Sequence, residues 1–490
     1  MTNLTRYAFA LALALLSIAT IQAQCTDCVC DAANTITGNI TSNTTLSGCN
    51  CIEGYVFVEP GVTLTIDAGT IIKGIEDGNI TTGDQASALI VARGATIEAN
   101  GTAAAPIIFT AETDDICDPS DVDECTQSLW GGLIVLGSAP LNSSGELPGT
   151  SPVEDLIEGI PNDEQFARFG GTDANDDSGN LNYISIRHGG STLDADNEIN
   201  GLTLGGVGAG TEIDFIEVFA NSDDGVEWFG GTVNVKHVVV TNAGDDSFDY
   251  DQGSTFNVQF AVSIGSDDCG SNRPGEHDGS VEAATAFPFA TPAFSNVTYI
   301  GKSGFAAQPE NDIILFRDAA GGFYQNSVFC NSNNGINIEA DFGNVGSTDP
   351  FDSNDQFSLG NLSVRNCSWG GGLLATPTIA LRVVGNGSAA DTRDGEIALA
   401  VFNANAAQFF AANDNDLNPG ACPNYTITTE NRASTLNILT INGTGTGATS
   451  FSGVFANPFF ESVSYRGAFP PSGGFWADWT HSAERGILNN

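Results

Sequence analysis

Basic side chains are scarce in this sequence. Against 60 Asp and Glu stand only 15 Lys and Arg, a formal net charge of −45 over 490 residues, and the lysines are three, Lys73, Lys236 and Lys302. Nucleic-acid binding depends on Lys and Arg neutralising phosphates, so that partner is excluded, and an anionic membrane surface is equally disfavoured. Long apolar runs are also missing. Beyond the N-terminal stretch no segment approaches the roughly 20 apolar residues of a membrane-crossing helix. A phosphate-cradling loop is absent as well, because Gly205, Gly206, Gly208 and Gly210 follow one strand and lead into another, not into a helix N-terminus. What the chain has in quantity is 58 Gly, 30 Phe and 41% hydrophobic residues, the composition of a folded, turn-rich β protein and not of an acidic tail.

The N-terminus reads as a secretory signal peptide over residues 1–23: Arg6, an apolar run from Tyr7 to Ala19, and the small-residue end Ile21-Gln22-Ala23. The expected location is therefore secreted, extracellular or at the cell surface. Lipid attachment at Cys25 is disfavoured because Gln24, not a small residue, precedes it. All 11 cysteines follow the signal, and an exported chain keeps disulfides. Five of them, Cys25, Cys28, Cys30, Cys49 and Cys51, crowd into a Cys-rich segment and cap over residues 24–60, with no His nearby to favour a zinc cluster. Cys117 and Cys125 bracket a short acidic loop that a bridge is expected to close. The odd total leaves a free thiol or an intermolecular bond.

The organising feature is a repeat. Asp223-Asp224, Asp245-Asp246 and Asp267-Asp268 recur at an interval of 22 residues, and the same offset places Glu227 over Asp249, Trp228 over Tyr250 and Gly231 over Gly253. The apolar pairs Ile216/Val218, Val238/Val240 and Phe260/Val262 fall in step with it. A period in the low twenties with β-branched alternation and Gly, Asn and Asp corners is one coil of a parallel β-helix. The coil is expected over residues 61–456, with excursions at Pro140 to Asp177 and Cys269 to Phe294, an insertion at Thr192 to Asn200, and one helix at Ala389 to Ala412. Residues 457–490, rich in aromatics through Trp476 and Trp479, are expected to cap the last coil, whose edge would otherwise expose unpaired backbone.

Trp130-Gly131-Gly132, Asn200 through Gly208 (NGLTLGGVG), Asp223 through Gly231 (DDGVEWFGG) and Tyr465-Arg466-Gly467-Ala468-Phe469 resemble the motifs of a family of secreted bacterial proteins, right-handed parallel β-helices of the pectin-lyase-like type. That family has no agreed function, and its members are sometimes labelled lipoprotein or multidrug transporter. The resemblance covers most of the mature chain. It implies an all-β, right-handed parallel β-helix solenoid and export, and it supplies no catalytic residues.

Rungs stacked about 4.8 Å apart place equivalent carboxylates one above another, and each such pair repels by about 3.5 kcal/mol at an effective dielectric of 20. With Val226, Trp228, Phe248 and Tyr250 facing inward, Glu227 and Asp249 turn outward in one column with Asp251 beside them. A hard divalent cation taking six to eight oxygens relieves this repulsion, so Ca²⁺ is the expected counterion. Its candidate ligands are Asp223, Asp224, Glu227, Asp245, Asp246, Asp249, Asp251, Asp267 and Asp268. The competing reading is that these Asp residues cap turns through backbone amides.

Stacked carboxylates also suit a glycoside hydrolase, and a polysaccharide lyase adds a basic proton abstractor, for which Arg187-His188 and Lys236-His237 are the candidates. Phe229 and Trp369 are candidates for stacking on glycans, or are core. The scarcity of bases favours a non-enzymatic structural or adhesive protein, calcium-stabilised and self-associating through open strand edges into oligomers or fibres. A carbohydrate-active enzyme on the same scaffold is the alternative.

Overall fold

The computed structural model describes residues 26–143, 147–161, 165–194, 197–266, 268–280, 286–301, 312–332, 334–340, 352–370, 381–385, 413–417, 451–470 and 473–488. The expected signal segment, Cys25, Asp267 and the helix expected at Ala389 to Ala412 lie outside them.

Each coil contributes three strands, and all three sets pair in parallel. One face is a ten-stranded sheet running from Tyr55–Val58 through Ala88–Val91, Leu133–Leu136, Leu202–Gly205, Val226–Phe229, Phe248–Asp251, Gly275–Asp278, Ile314–Arg317 and Ile336–Ala340 to Leu381–Gly385. The other two faces belong to one large sheet, because the strands Gly179–Arg187, Glu212–Phe219, Val235–Thr241 and Asn257–Ile264 bend across the corner between them. The fold is a parallel β-helix. Its coil starts inside the Cys-rich segment, at Thr35–Thr37 paired with Cys49–Glu53.

The 22-residue register is realised where Val226 pairs Phe248, Glu227 pairs Asp249 and Trp228 pairs Tyr250. It slips by one on the next rung of the large sheet. Val238 pairs Ala261 and Val240 pairs Ser263, so Phe260 and Val262 are out of step with the expected apolar pairs. Phe260 instead occupies the bend, in a left-handed conformation (φ 64°) shared with Tyr183, Phe215 and His237. Their rings form a stacked column, with centroids 4.2 Å apart for Tyr183 and Phe215, 4.4 Å for Phe215 and His237, and 5.0 Å for His237 and Phe260. Asn296, Asn326 and Asn366 continue the left-handed bend on later rungs, where Asn tolerates positive φ best among side-chain-bearing residues; Asn366 Nδ2 donates to Asn326 Oδ1 at 2.6 Å.

Inside the coil, aliphatic ladders such as Ile184, Ile216 and Val238 give way to stacked aromatics including Trp228 on Phe256 and Phe294 on Tyr324. Burial of this continuous core, at about 25 cal/mol per Å² of apolar surface, holds the rungs together. The Trp130-Gly131-Gly132 motif has a packing cause. Trp130 is fully buried and donates through Nε1 to the Arg187 carbonyl. A Cβ on Gly131 would meet the Ser87 carbonyl at 2.8 Å, and one on Gly132 would meet the Asn200 carbonyl at 2.1 Å.

The first excursion folds back over the ten-stranded sheet. Leu141, Ile157, Ile160 and Phe169 pack there against Phe57, Ile90, Ile134, Leu136 and Phe229. The aromatic segment expected at the end of the last coil lies instead along the flank. Ala468, Phe469, Trp476, Ile487 and Leu488 cover an apolar patch formed by Phe219, Val239, Val262, Ile264, Ile300 and Val328 from successive rungs. The buried Glu217 carboxylate anchors this strap, accepting from His481 N and Ser482 N at 2.8 Å each, from Ser482 Oγ at 2.7 Å and from Ser185 Oγ at 2.6 Å. The outward apolar face of these strands explains the placement, since it needs a cover as much as the final edge does.

Disulfides join Cys28 to Cys49 and Cys30 to Cys51, so these thiols are not a zinc cluster. Cys125 pairs with Cys269, 144 residues away, and not with Cys117 as the acidic loop suggested. Stacking brings the second excursion beside that loop, an approach that sequence distance conceals. Among the described residues no helix is long and apolar enough to cross a membrane.

Candidate metal centre

The ten-stranded sheet and the corner preceding it carry the acids. Val226, Trp228, Phe248 and Tyr250 point into the core as expected. Parallel register then sets Thr203, Glu227, Asp249 and Glu276 in one outward column. At the corner, each rung's side chain caps the next rung's backbone: Asn200 Oδ1 accepts from Asp224 N at 3.3 Å, Asp224 Oδ1 from Asp246 N at 2.9 Å, and Asp246 Oδ1 from Arg273 N at 2.7 Å. Capping therefore does occur, but to the neighbouring coil and through one oxygen of each carboxylate, which leaves the other free of that bond.

Two triads have carboxylate oxygens all within 4.8 Å of one another: Asp223, Asp224 and Asp245, and Asp224, Glu227 and Asp249. Asp224 is common to both. Asn200 Nδ2 holds Glu227 Oε2 at 2.5 Å, and Asn272 Nδ2 holds Asp245 Oδ1 at 2.6 Å. Asp249 Oδ1 is buried with no hydrogen-bond partner among the described residues.

Burial raises the pKa of Asp224 well above the carboxylate range, reinforced by the charges of Asp249, Asp223 and Glu227. Glu227 and Asp249 are raised in the same way, each first by burial and then by neighbouring carboxylates. Asp223 is pushed up to about 8 by burial together with Glu158, Glu198 and Asp245.

The rungs that follow solve the same repulsion internally. Arg273 donates to Glu276 Oε1 at 2.7 Å and lies 3.6 Å from Asp246 Oδ2. Arg317 bonds Asp278 Oδ1 at 2.7 Å and approaches Glu276 at 3.3 Å. Among the described residues no ion pair reaches Asp223, Asp224, Glu227, Asp245 or Asp249.

These five of the nine sequence candidates come together. Asp246 belongs with Arg273, and Asp251, raised to about 8 by burial, stands one column over and accepts from Gln252 N. Asp268 lies apart, bonded by Ser266 Oγ beside the Cys125–Cys269 bridge. Asn200, Arg273, Glu276, Asp278 and Arg317 were not singled out from sequence; the interval between Asp249 and Glu276, stretched to 27 by extra residues in the loops between them, hid the alignment.

The chain belongs to the family of the pectate-lyase-like beta helix domain. The family model matches residues 38–371, most of the chain. Neither the curated proteins nor the solved structures include a match. Within this beta helix domain the basic candidates stand away from the acids, on the large sheet and under the strap. Arg187 and His188 are buried there, Arg187 3.8 Å from Glu484. Lys236 pairs with Glu461 at 2.8 Å and His237 with Asp214 at 2.7 Å. Phe229 and Trp369 are core residues, 7% and 1% exposed, and offer no sugar platform.

Proposed function

We propose that this beta helix domain is a secreted, non-catalytic structural or adhesive protein whose middle rungs are held by a calcium ion. The observation that carries the reading is the contrast between neighbouring rungs on one face. Asp246, Glu276 and Asp278 have Arg273 and Arg317 as internal counterions, whereas the five carboxylates around Asp224 have none among the described residues. An oxygen-only, irregular, multiply charged site suits Ca²⁺ better than Mg²⁺, which demands near-octahedral geometry, or a transition metal, which favours nitrogen and sulfur. Residues Asp223, Asp224, Asp245, Glu227 and Asp249 would hold the ion, and the ion would supply charge neutralisation across two adjacent rungs.

A lyase or hydrolase needs a base or an acid–base pair free to meet substrate. Here the guanidinium groups nearest the acids are engaged by carboxylates, Arg187 and His188 are buried, and Lys236 and His237 are paired with Glu461 and Asp214 away from the acids. Open strand edges at the ends of a solenoid make a second copy of the chain the favoured partner, screened by calcium from mutual repulsion. The deciding experiment is a screen of acidic and neutral glycans for new reducing ends or unsaturated uronides. No turnover is expected; reproducible cleavage lost in Asp245→Ala would replace this reading with the enzymatic one.

A further inference from the structure

His188, a corner residue of the coil, is fully buried, and His481, in the strap, is 2% exposed; their ring centroids are 6.2 Å apart. Each ring engages one nitrogen and leaves the other alone. His188 Nδ1 lies 2.7 Å from the Thr126 carbonyl, which only accepts, so Nδ1 carries the proton and Nε2 a lone pair. His481 Nδ1 faces the Glu484 carboxylate at 3.4 Å, which selects the same tautomer. Both Nε2 atoms are buried without a hydrogen-bond partner among the described residues. A second proton on either ring must go to Nε2, where it would be a charged donor shut away from water with no acceptor.

The charged groups around the pair are committed elsewhere. From the coil, Arg187 donates through Nε to Ser185 Oγ, and the Glu217 oxygens already accept from His481 N, Ser482 N, Ser482 Oγ and Ser185 Oγ. From the loop after Ala111, buried Asp114 accepts from Thr110 Oγ1, and Glu124 lies 4.0 Å from the Arg485 guanidinium. From the strap, Arg485 Nη1 donates to the Pro119 and Val122 carbonyls, and Glu484 meets Arg187 at 3.8 Å with half of its side chain in water. Phe219 walls another side, its ring 5.6 Å from His188 and 4.7 Å from His481. Burial first, and then the charges of Arg187 and Arg485, lower the pKa of both imidazoles, on His188 against the Thr126 bond and Asp114.

We propose that His188 and His481 form a proton-operated latch: the strap is held on the coil at neutral pH and released in acid, uncovering the stripe of Phe219, Val239, Val262, Ile264, Ile300 and Val328. In the released strap both rings meet water and titrate near the ordinary histidine value of about 6.5, whereas in the closed strap they stay neutral. The released state therefore binds more protons below that pH, and closure weakens as pH falls. Glu484 works the other way, since burial raises its carboxyl and a group that gains its proton in the folded state favours closure in acid. Substituting it separates the two effects.

The test is hydrogen exchange of the strap, residues 473–488, read by mass spectrometry on the full mature protein in calcium-containing buffer and corrected for the intrinsic pH dependence of exchange. Between about pH 7.5 and about pH 5.5 strap protection should fall about a hundredfold, about tenfold for each histidine, while the rung Val235–Thr241 holds its protection. His188→Asn and His481→Gln should each leave a fall of about tenfold, and Glu484→Gln should keep at least the full hundredfold. Asn suits position 188, because Asn242 occupies the same left-handed corner two coils on. Strap protection that is constant over this range in the wild type overturns the proposal even if a variant fails to fold. An undiminished fall in the double histidine variant, or its disappearance in Glu484→Gln, overturns it as well.

Discussion

Asp224→Asn separates the calcium reading from simple turn capping. The amide keeps the oxygen that accepts from Asp246 N, so the corner ladder persists, while the one carboxylate common to both triads is gone. Ionised oxygens 4.8 Å apart repel by about 3.5 kcal/mol at an effective dielectric of 20. Asp224 faces Asp223, Asp245, Glu227 and Asp249 at this range or closer, so ionising Asp224 against all four would cost roughly 14 kcal/mol, comparable to the whole stability of an ordinary domain. Without a cation Asp224 therefore stays protonated, and exchanging a carboxylic acid for an amide should move the melting temperature by no more than about 1 °C. With calcium the wild type gains about 2.7 kcal/mol at 100 times Kd. An unfolding entropy of about 2.1 cal/mol/K per residue, about 1 kcal/mol/K for a chain of this length, converts that into a rise of about 3 °C. Calorimetry in chelator and in excess Ca²⁺, at matched ionic strength, should show the rise in wild type and its near disappearance in Asp224→Asn. An equal rise in both proteins, or none in either, refutes the reasoning.

The cation-free protein should lose stability as pH rises: folded-state pKa values of about 8 for Asp223 and Asp251 and about 7 for Glu276 exceed unfolded values of about 4, so the native state binds the extra protons between these limits. That stability is complete below about pH 4 and gone above about pH 8; melting curves in chelator from pH 5 to 8.5 should fall, and calcium should flatten them while releasing protons on binding. Trp476→Ala empties a fully buried position in the strap and should cost about 3–5 kcal/mol, seen as protease cleavage within residues 451–488 while the rungs resist. Light scattering of the mature protein at moderate salt should show oligomers with Ca²⁺ and smaller species in chelator; a strict monomer in both would remove self-assembly from the functional reading.

The repeat was legible where the chain runs from coil to coil without insertion. Glu227 over Asp249 and Trp228 over Tyr250 follow from two equal spacings, and alternation then decides which side chains face out. One extra residue in the corner after Asp251 was enough to move Phe260 from ladder to bend. The third acidic pair failed as a guide for a related reason. The expected excursion from Cys269 to Phe294 contains a strand of the ten-stranded sheet, Gly275–Asp278, and extra residues ahead of that strand interrupt the period, so the residue capped by Asp246 is Arg273 and the third pair's sequence spacing had no structural counterpart at Asp268. The strap and the Cys125–Cys269 bridge were beyond reach because they join segments by tertiary return, and local patterning carries no record of which flank a distant segment will cover.

The strap's route also bears on how the molecule answers force. Rungs pulled apart along the solenoid axis would separate ladder by ladder, each step loading a single row of backbone bonds. The strap runs against the direction of the coil: Arg466 bonds Ser368 and Asn366, Gly467 N bonds the Asn326 carbonyl, Ser482 meets Glu217, and Arg485 reaches the carbonyls of Pro119 and Val122. Tension between these rungs is therefore shared by contacts that must shear together, and the protein acquires a tie rod along the stretch where its rungs carry the most mutually repelling charge.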